Sequence, residues 1–337
     1  MSATPVRVTI AIPIHNEEEV IPQLLERVLA VLDDTPGGPH EMLLIDDGSR
    51  DRSLELLEEA ARKDDRIVVV VLSRNFGHQA ALTTAFDHAR GDVMLLMDGD
   101  LQDPPEALPQ LLARMADGYD VVYVRRTRRK EAWWLRVSYH VAYRIIARLS
   151  KLALPVDAGD FALLSRRAIE AMRALPERQR YLRGLRSWIG FRQTGVDVER
   201  AARAGGASKY SLRRLIGLAL DGAFAFSTTP LRFIGVFGGV VLAGSVLFSL
   251  FAIYAKLALG RSPQGFTALT VLGTMIGGMV LLSLWIIGEY VGRIYAEVKH
   301  RPVYLVDRVI RSARSAAGTS DATTDHTEGR SATHVAS

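Results

Sequence analysis

The sequence has 337 residues, of which 48% are hydrophobic and 23% charged, and it contains no cysteine. The lack of cysteine excludes a disulfide framework and a thiolate metal site. The formal net charge of +5 leaves nucleic acid, anionic lipid and phosphorylated ligands as partner classes, and the positions of the basic residues have to decide among them.

The first third of the chain alternates β-branched runs with amphipathic ones. Strands are predicted at 6–14, 41–45, 67–72 and 92–97, and helices at 17–32, 53–62 and 79–89. This alternation predicts a parallel sheet with right-handed crossovers. A helix at 104–115, a strand at 121–124 and a basic loop at 125–130 are predicted to follow.

Polar residues follow three of the predicted strands. They are Pro13, Asn16 and Glu17 after the first strand, Asp46, Asp47, Gly48 and Ser49 after the second, and Asp98, Asp100 and Gln102 after the fourth. The carboxyl ends of parallel strands share one edge of a sheet, so these residues are expected to form a single site. Two carboxylates and an amide oxygen suit a hard cation such as Mg²⁺ or Mn²⁺. Taken alone, Asp98-Gly99-Asp100 is equally compatible with a simple turn.

The acidic strand ends also predict the class of ligand. The chain has no Gly-x-Gly-x-x-Gly and no Gly-Lys-Ser/Thr loop, so a dinucleotide fold or a P-loop is unsupported. Carboxylates bind ribose hydroxyls and base N–H groups, and they hold a metal ion that in turn holds a diphosphate. The predicted ligand is therefore a derivative of a nucleoside diphosphate.

Two apolar stretches, 231–259 and 266–287, each exceed the ~20 residues that cross a bilayer. The loop between them carries only Arg261 as a basic residue, whereas basic residues cluster outside both stretches. This asymmetry predicts a hairpin with both termini in the cytoplasm. The alternative is a pair of buried helices in a soluble core.

Two further segments have mixed character. Residues 132–152 combine Trp, Tyr and Arg with apolar residues, which fits either a packed amphipathic helix or a helix lying in the membrane interface. Residues 212–226 are predicted to form an interfacial helix that joins the first domain to the hairpin. The Ser-, Ala- and Thr-rich chain after 311 is predicted to be disordered.

The predicted organisation has five parts. A cytosolic catalytic domain spans 1–211, an interfacial amphipathic helix 212–230, two transmembrane helices 231–292 (about 231–259 and 266–290), a juxtamembrane segment 293–310 and a tail 311–337. This predicts a multi-pass protein of the inner (plasma) membrane. The anionic leaflet then accounts for the basic excess, at ~1 kcal/mol per nearby Lys or Arg, and no nucleic acid is needed as a partner.

Three ordered motifs resemble the inverting glycosyltransferase family 2, which has the GT-A fold. They are Pro13-x-x-Asn16-Glu17, Asp46-Asp47-Gly48-Ser49-x-Asp51 and Asp98-x-Asp100-x-Gln102-x-Pro104. The resemblance implies an α/β domain with a mainly parallel sheet that binds a nucleotide-diphospho-sugar.

Later segments are similar to the polyprenyl-phosphate glycosyltransferases within that family, which include the dolichol-phosphate mannose synthases, bactoprenol glucosyltransferases and undecaprenyl-phosphate aminoarabinose transferases. The segments are Asp157-x-Gly159-Asp160-Phe161, Arg180-Tyr181-Leu182-Arg183-Gly184 and Arg200-x-x-Arg203-x-x-Gly206-x-Ser208-Lys209-Tyr210, followed by the apolar stretches. The resemblance spans about 6–310. It implies metal-dependent transfer of a sugar from a UDP- or GDP-linked donor to undecaprenyl or decaprenyl phosphate, in a homo-oligomer in the bilayer.

The resemblance also implies roles for individual residues. Glu17 and Asp47 would bind the base and ribose of the donor, Asp100 and Gln102 the metal ion, and Asp98 the sugar nucleotide, directly or through that ion. Asp160 would lie near the donor sugar or the acceptor. The remaining implied nucleotide-sugar contacts are Pro13, His15, Asp46, Gly99 and Arg126. The implied contacts to the lipid phosphate or the diphosphate are Arg200, Arg203, Ser208 and Lys209, with Asp100, Asp160 and Arg200 as the catalytic set.

One inference rests on chemistry beyond the motifs. A lipid phosphate is largely anionic near neutral pH, because the second pKa of a phosphate monoester is about 6, so it needs no strong general base. It needs cations to guide it past carboxylates, and Arg200, Arg203 and Lys209 stand just before the predicted interfacial helix. The alternative is an ordinary solvated patch. Asp160 is then expected to position a substrate or to act as a weak base.

The chain departs from the family pattern at two positions. Ala162 stands where Arg is usual and Val198 where Tyr is frequent. These departures are expected to reflect either a different sugar or compensation by Arg166 or Arg192. Two alternative functions remain. One is a processive polysaccharide synthase, although Arg186-Ser187-Trp188 matches its acceptor motif only in part. The other is a non-catalytic membrane scaffold, which the intact acidic motif disfavours.

Overall fold

The computed structural model describes residues 7–126, 158–178, 180–198 and 265–312, together with single helical positions within 234–258. Its strands are β1 (Val8–Ile14), β2 (Glu41–Asp46), β3 (Ile67–Leu72), β4 (Val93–Leu96), β5 (Val121–Arg126), β6 (Ala158–Ser165), β7 (Gln193–Val198) and β8 (Val306–Ile310). Its helices are α1 (Ile21–Asp34), α2 (Ser53–Lys63), α3 (His78–His88), α4 (Leu108–Ala116), α5 (Arg166–Ala174), α6 (Leu182–Trp188) and α7 (Phe266–Val298).

The eight strands of the described chain form one mixed sheet in the order β7-β5-β6-β4-β1-β2-β3-β8. Strands β4, β1, β2 and β3 are parallel, as are β5 and β7, whereas β6 and β8 run antiparallel to their neighbours. The predicted α/β fold with a mainly parallel sheet is confirmed.

Both faces of the sheet are covered, which explains why the central strands are continuous apolar runs. In β1, Ile10 and Ile12 belong to the apolar core on one face, where residues of α1, α2 and α4 pack. The alternating residue Ala11 belongs to the core on the other face, which includes residues of α3, α5 and α6. The side-chain period of two in a strand assigns each residue to its layer.

Helix α1 begins at Ile21, four residues after the predicted start at Glu17. Residues 16–18 instead direct their backbone N–H groups to the segment after β2. Glu17 donates to Ser53 Oγ at 2.9 Å, and Glu18 donates to Asp51 Oδ2 at 3.3 Å. Because these donors are satisfied outside the helix, the first turn is postponed to the residues around Pro22, whose fixed φ suits a helix start.

Strand β6 was not predicted, and it brings a distant part of the chain beside β4. Leu96 pairs with Ala162 in antiparallel register. Continuing that register by two residues places Asp160 opposite Asp98. A residue from the second half of the chain thereby joins the acidic edge.

Helix α7 spans 33 residues. Within it, Met275–Val298 is the one helix of the described chain that is long and apolar enough to cross a membrane, and it is almost entirely exposed. The first predicted span lies mostly outside the described residues, so the two-helix hairpin stays a prediction. The predicted helices at 132–152 and 212–230 also lie outside them, as does the predicted tail after its first two residues.

Strand β8 returns the chain from α7 to the sheet. It pairs antiparallel with β3, with Leu72 opposite Val306. The backbone N–H of Ser73 donates to the carbonyl of Leu305 at 2.9 Å. The predicted juxtamembrane segment 293–310 therefore contains the end of a long helix and an edge strand of the sheet.

Candidate active site

The loops after β1 and β2 form one wall of the acidic edge and are tied to each other. Asn16 adopts a left-handed conformation with φ of 56°. Its backbone N–H donates to Ser49 Oγ at 3.1 Å, and its Oδ1 accepts the N–H of Arg50 at 2.8 Å. Its Nδ2 lies 3.1 Å from Nε2 of His15. His15 is thus held at the loop surface, where Asn75 also reaches its ring at 3.0 Å.

Asp46 and Asp47 are both buried, and each accepts hydrogen bonds from a different loop. Asp47 accepts the backbone N–H groups of Phe76 at 2.7 Å and Gly77 at 3.0 Å, so both of its oxygens anchor the loop between β3 and α3. Asp46 accepts the N–H of Ser49 at 3.3 Å. Burial raises the pKa of Asp46, and the hydrogen bond to Ser49 opposes this only in part. Nucleotide contact by either side chain stays a prediction.

The Asp98-Gly99-Asp100 turn packs tightly against the end of β1. A Cβ at Gly99 would lie 2.9 Å from Ile14 Cδ1 and 3.3 Å from the carbonyl oxygen of Pro13. Leu101 follows with φ of 53°, and the N–H of Gln102 donates to Asp100 Oδ1 at 3.2 Å. Glycine is therefore required by contact, and Asp100 and Gln102 are brought onto one turn.

Asp98 and Asp160 share one basic neighbour, His78. The Nε2 atom of His78 lies 3.6 Å from Asp98 Oδ1 and 3.9 Å from Asp160 Oδ2. Arg183 on α6 donates two hydrogen bonds to Asp160, from Nε to Oδ1 at 2.8 Å and from Nη2 to Oδ2 at 2.7 Å. Two carboxylates, one guanidinium and one imidazole therefore form one cluster at the sheet edge.

The surroundings of Asp98 and Asp160 shift the pKa values of the two carboxylates in opposite directions. Burial and the neighbouring acids raise the pKa of Asp98 to about 6, although His78 opposes this. Burial would also raise the pKa of Asp160, but the two hydrogen bonds from Arg183 and the nearby His78 outweigh it and hold that pKa well below its usual range. Burial lowers the pKa of His78, whereas Asp160 and Asp98 raise it by more. Asp160 is the permanently ionised member of the pair.

Arg186 lies one turn after Arg183 on α6 and is buried, with 5% exposed. Its guanidinium stands 5.5 Å from the ring centroid of Tyr123, and its Nε and Nη2 atoms are buried without a hydrogen-bond partner. Burial lowers the pKa of Arg186 to about 10, and the charge of Asp160 opposes this. Arg186 is therefore a further positive charge behind the cluster.

The predicted metal ligands lie at the acidic turn. In the described part of the chain, no group of three His, Cys, Asp or Glu side chains is placed to hold a metal ion. The predicted set contains only two carboxylates and one amide, so water and a diphosphate would have to complete the shell. The Oδ1 atom of Asp98 is buried and lacks a hydrogen-bond partner. A buried anionic oxygen without a donor fits a cation ligand.

The structure describes no side chain for five of the residues predicted to contact phosphate. Arg200, Arg203, Ser208 and Lys209 lie outside the described residues, and only the backbone of Arg126 is described, as the last residue of β5. Val198 ends β7 opposite Arg126.

The residues predicted to compensate for Ala162 are the wrong ones. Ala162 is buried in β6 between β4 and β5. Arg166 bonds the carbonyl of Ala89 at 3.2 Å, and Arg192 stacks on Tyr119 at 4.9 Å, both at the opposite edge of the sheet. Arg183 and Arg186 supply the positive charge instead, because α6 carries them to the open end of β6.

Sequence reasoning gave no role to His78, Arg183 or Arg186. Arg183 stands in a motif noted for its resemblance, and His78 follows the polar end of a predicted strand, so both had a weak signal. Their convergence depends on β6 and α6, neither of which the pattern predicted.

The end of helix α7 contacts the segment that leads into α6. The backbone N–H of Arg178 donates to Glu297 Oε1 at 2.9 Å, and Arg178 Nε lies 3.9 Å from Glu297 Oε2. The apolar helix therefore meets the domain four residues before α6 begins at Leu182.

Comparisons with known proteins identify relatives of the whole chain. Residues 9–173 match the family described as Glycosyl transferase family 2. The chain is 38% identical over 305 residues to the uncharacterized glycosyltransferase YkcC of Bacillus subtilis, covering 90% of this chain and 94% of that protein. It is 40% identical over 314 residues to the undecaprenyl-phosphate 4-deoxy-4-formamido-L-arabinose transferase of Pseudomonas paraeruginosa, covering 92% of each.

Among solved structures, one match is the mannosyltransferase PcManGT from Pyrobaculum calidifontis in complex with GDP-Man and Mn²⁺. The TM-score is 0.45 at 17% sequence identity, with 84% of this chain and 88% of that chain covered.

Proposed function

The chain belongs to glycosyltransferase family 2 and is a glycosyltransferase. We propose that it transfers a sugar from a nucleoside-diphosphate sugar to a polyprenyl phosphate. The transfer would invert the anomeric configuration and take place at a membrane surface. The observation that carries the proposal is the contact between Glu297 of the exposed apolar helix α7 and Arg178, in the segment that leads into α6. That contact joins an apolar helix to the segment that precedes Arg183, whose guanidinium pairs with Asp160 at the acidic edge. The name of the 40% identical relative supports polyprenyl phosphate as the acceptor.

The donor half of the proposed site is the acidic edge. Asp98, Asp100 and Gln102 would hold Mg²⁺ or Mn²⁺, and the buried Oδ1 atom of Asp98, which accepts no hydrogen bond, supports this. Such an ion supplies Lewis-acid stabilisation of the charge that develops on a diphosphate leaving group. The loops carrying Pro13, His15 and Glu17 would bind the nucleoside.

The role proposed for Asp160 is to position substrate groups, without acting as a base. Its low pKa and its two hydrogen bonds to Arg183 make it a poor proton acceptor near neutral pH. The acceptor phosphate is already ionised and needs no proton removed. Asp160 would instead fix the Arg183 guanidinium, whose fork suits phosphate oxygens.

The acceptor half of the proposed site comes from the membrane side. Arg200, Arg203, Ser208 and Lys209 would guide the lipid phosphate toward the donor carbon. The proposed location is the inner membrane, with the catalytic domain and both termini cytoplasmic. The positions of the basic residues support this topology.

The test is a transfer assay with purified full-length protein, a panel of labelled nucleotide sugars, Mg²⁺ or Mn²⁺ and undecaprenyl phosphate. The expected result is label in the organic phase with one donor, in a product whose anomeric configuration is inverted. Tight nucleotide binding with no organic-phase label for any donor would refute the acceptor. A long water-soluble polymer would identify a processive synthase instead.

A further inference from the structure

A second charged site lies at the sheet edge opposite Asp98 and Asp100. A mainly polar cavity of about 390 Å³ is lined there by Arg90, Arg166, Arg173 and Arg311, with Asp87 and His88 at its side. Arg90 stands just before β4, and Arg166 and Arg311 follow the antiparallel strands β6 and β8. All three therefore lie where the parallel strands begin, whereas the acidic turn lies where they end. We call this space the arginine cavity.

Two of the four arginines bond the end of helix α3. Arg173 donates from Nη2 to the carbonyl of Ala89 at 2.6 Å, and from Nε to the carbonyl of Phe86. Arg166 donates from Nη1 to the same Ala89 carbonyl at 3.2 Å. These bonds satisfy carbonyls at a helix C-terminus. The neutral carbonyls do not offset the charge of Arg173, whereas Arg166 also pairs with Glu170.

The other two arginines lack partners. In the part of the chain that the structure describes, the side chains of Arg90 and Arg311 make no hydrogen bond and no ion pair. The Nε atom of Arg7, whose charge acts on Arg311, is buried without a hydrogen-bond partner. Burial and the charge of Arg90 lower the pKa of Arg311, and burial and the charge of Arg166 lower that of Arg173. The guanidinium groups are thus close enough to repel one another.

The acids around the cavity are already engaged. Glu41 accepts from Thr9 Oγ1 at 2.9 Å and from the N–H of Arg90 at 3.2 Å. Asp87 accepts from the hydroxyl of Tyr304 at 2.7 Å. Glu170 pairs with Arg166 at 2.9 Å. The four arginines that line the cavity outnumber these three carboxylates, so the net charge around a space large enough for a small ligand is positive.

We propose that the arginine cavity binds a phosphate-bearing anion at a site separate from the transferase centre. Planar guanidinium groups present paired N–H donors that match phosphate oxygens. The unpartnered side chains of Arg90 and Arg311 supply the free donors, and Arg166 and Arg173 add charge. The ligand is either a soluble phosphate compound or the headgroup of an anionic phospholipid.

The test uses full-length protein in phosphatidylcholine nanodiscs, titrated with inorganic phosphate by calorimetry in the presence of a chelator. Three proteins are compared: the wild type, Arg90→Gln/Arg311→Gln, and the control Arg62→Gln/Arg114→Gln. The control removes the same charge from exposed positions on α2 and α4. Wild type and control should bind phosphate saturably, and the cavity variant at least about tenfold more weakly, because charged hydrogen bonds are lost.

Repeating the titration in nanodiscs that contain phosphatidylglycerol identifies the source of the ligand. Loss of phosphate binding there would show that a lipid headgroup occupies the cavity, and unchanged binding would indicate a soluble phosphate compound. Equal affinity of all three proteins for phosphate, or no saturable binding to the wild type, would overturn the proposal. The single variants Arg90→Gln and Arg311→Gln answer the same question if the double variant fails to fold.

Discussion

Arg183 holds Asp160 through two parallel hydrogen bonds, of 2.8 and 2.7 Å, with one guanidinium nitrogen on each carboxylate oxygen. This pairing joins helix α6 to strand β6 at the acidic edge. Burial alone would raise the pKa of Asp160, and the pairing reverses that effect. The carboxylate is ionised at every pH at which the enzyme would work.

The Asp160→Asn variant tests the positioning role. It should lower kcat by about 100-fold or more, within the range for a misplaced catalytic group, while the shape of the pH–rate profile stays the same. Arg183→Lys should reproduce the defect, because lysine cannot make both bonds. Loss of the acidic limb of the profile in Asp160→Asn alone would instead identify Asp160 as a general base.

The Asp100→Ala variant tests the metal site. It should abolish turnover that depends on Mg²⁺ or Mn²⁺ while leaving the melting temperature and membrane insertion unchanged, because Asp100 lies on a surface turn. The matched control is Asp117→Ala, which removes an exposed carboxylate at the end of α4 that forms an ion pair with Arg114 at 3.6 Å. Activity of Asp100→Ala that equals that of the control, with or without chelator, would contradict the assignment.

The raised pKa of Asp98 predicts a pH dependence of stability in metal-free protein. The folded state binds the proton more tightly than the unfolded state, whose pKa is about 3.9. Above pH 6, the ionised Asp98 therefore lowers the free energy of unfolding by its full amount. This cost disappears as the pH falls toward 4. With a folded pKa of about 6, the cost is at most about 3 kcal/mol. Asp98→Asn should melt higher than the wild type at pH 7 and equally at pH 4. An equal difference at both pH values would show that burial of the charge is not the cause.

Substitutions at two glycines with positive φ distinguish the cost of a steric clash from the cost of backbone strain. Gly48 has φ of 63°, and a Cβ there would lie 2.5 Å from the backbone of Arg74 and Asn75, whereas Gly77 has φ of 96° and open space. Gly77→Ala should reduce the free energy of unfolding by about 1–3 kcal/mol through strain alone, because φ of 96° with ψ of 158° is a conformation that essentially only glycine adopts. Gly48→Ala should cost more than about 3 kcal/mol, because backbone must move. Equal costs in denaturant unfolding would contradict the close contact.

The contact between Arg178 and Glu297 predicts a link between the apolar helix and use of the lipid acceptor. Glu297→Ala should raise the KM for polyprenyl phosphate about tenfold, as expected for the loss of a charged hydrogen bond, and leave the KM for the donor unchanged. Lys299→Ala is the control, because Lys299 is exposed nearby and contacts Tyr295. Parallel changes in both KM values would show that the contact only supports the fold.

The local pattern was sufficient to predict the central sheet and its acidic edge. Period and composition located β1 to β4, α2 and α3 to within a few residues, since each buried run ends in a polar loop. They also placed Asp46, Asp98 and Asp100 at the carboxyl ends of strands, where parallel topology collects them. An apolar stretch from Phe266 likewise predicted α7, because length and lack of charge are local properties.

Only the tertiary structure decided how distant segments meet. Strand β6 places Asp160 opposite Asp98 by antiparallel register, helix α6 brings Arg183 and Arg186 behind it, and β8 returns α7 to the sheet. The carboxylate of Asp47 turned out to anchor the loop at Phe76 and Gly77. Such pairings depend on contacts between residues far apart in the chain, and those contacts leave no periodic signal in either segment alone.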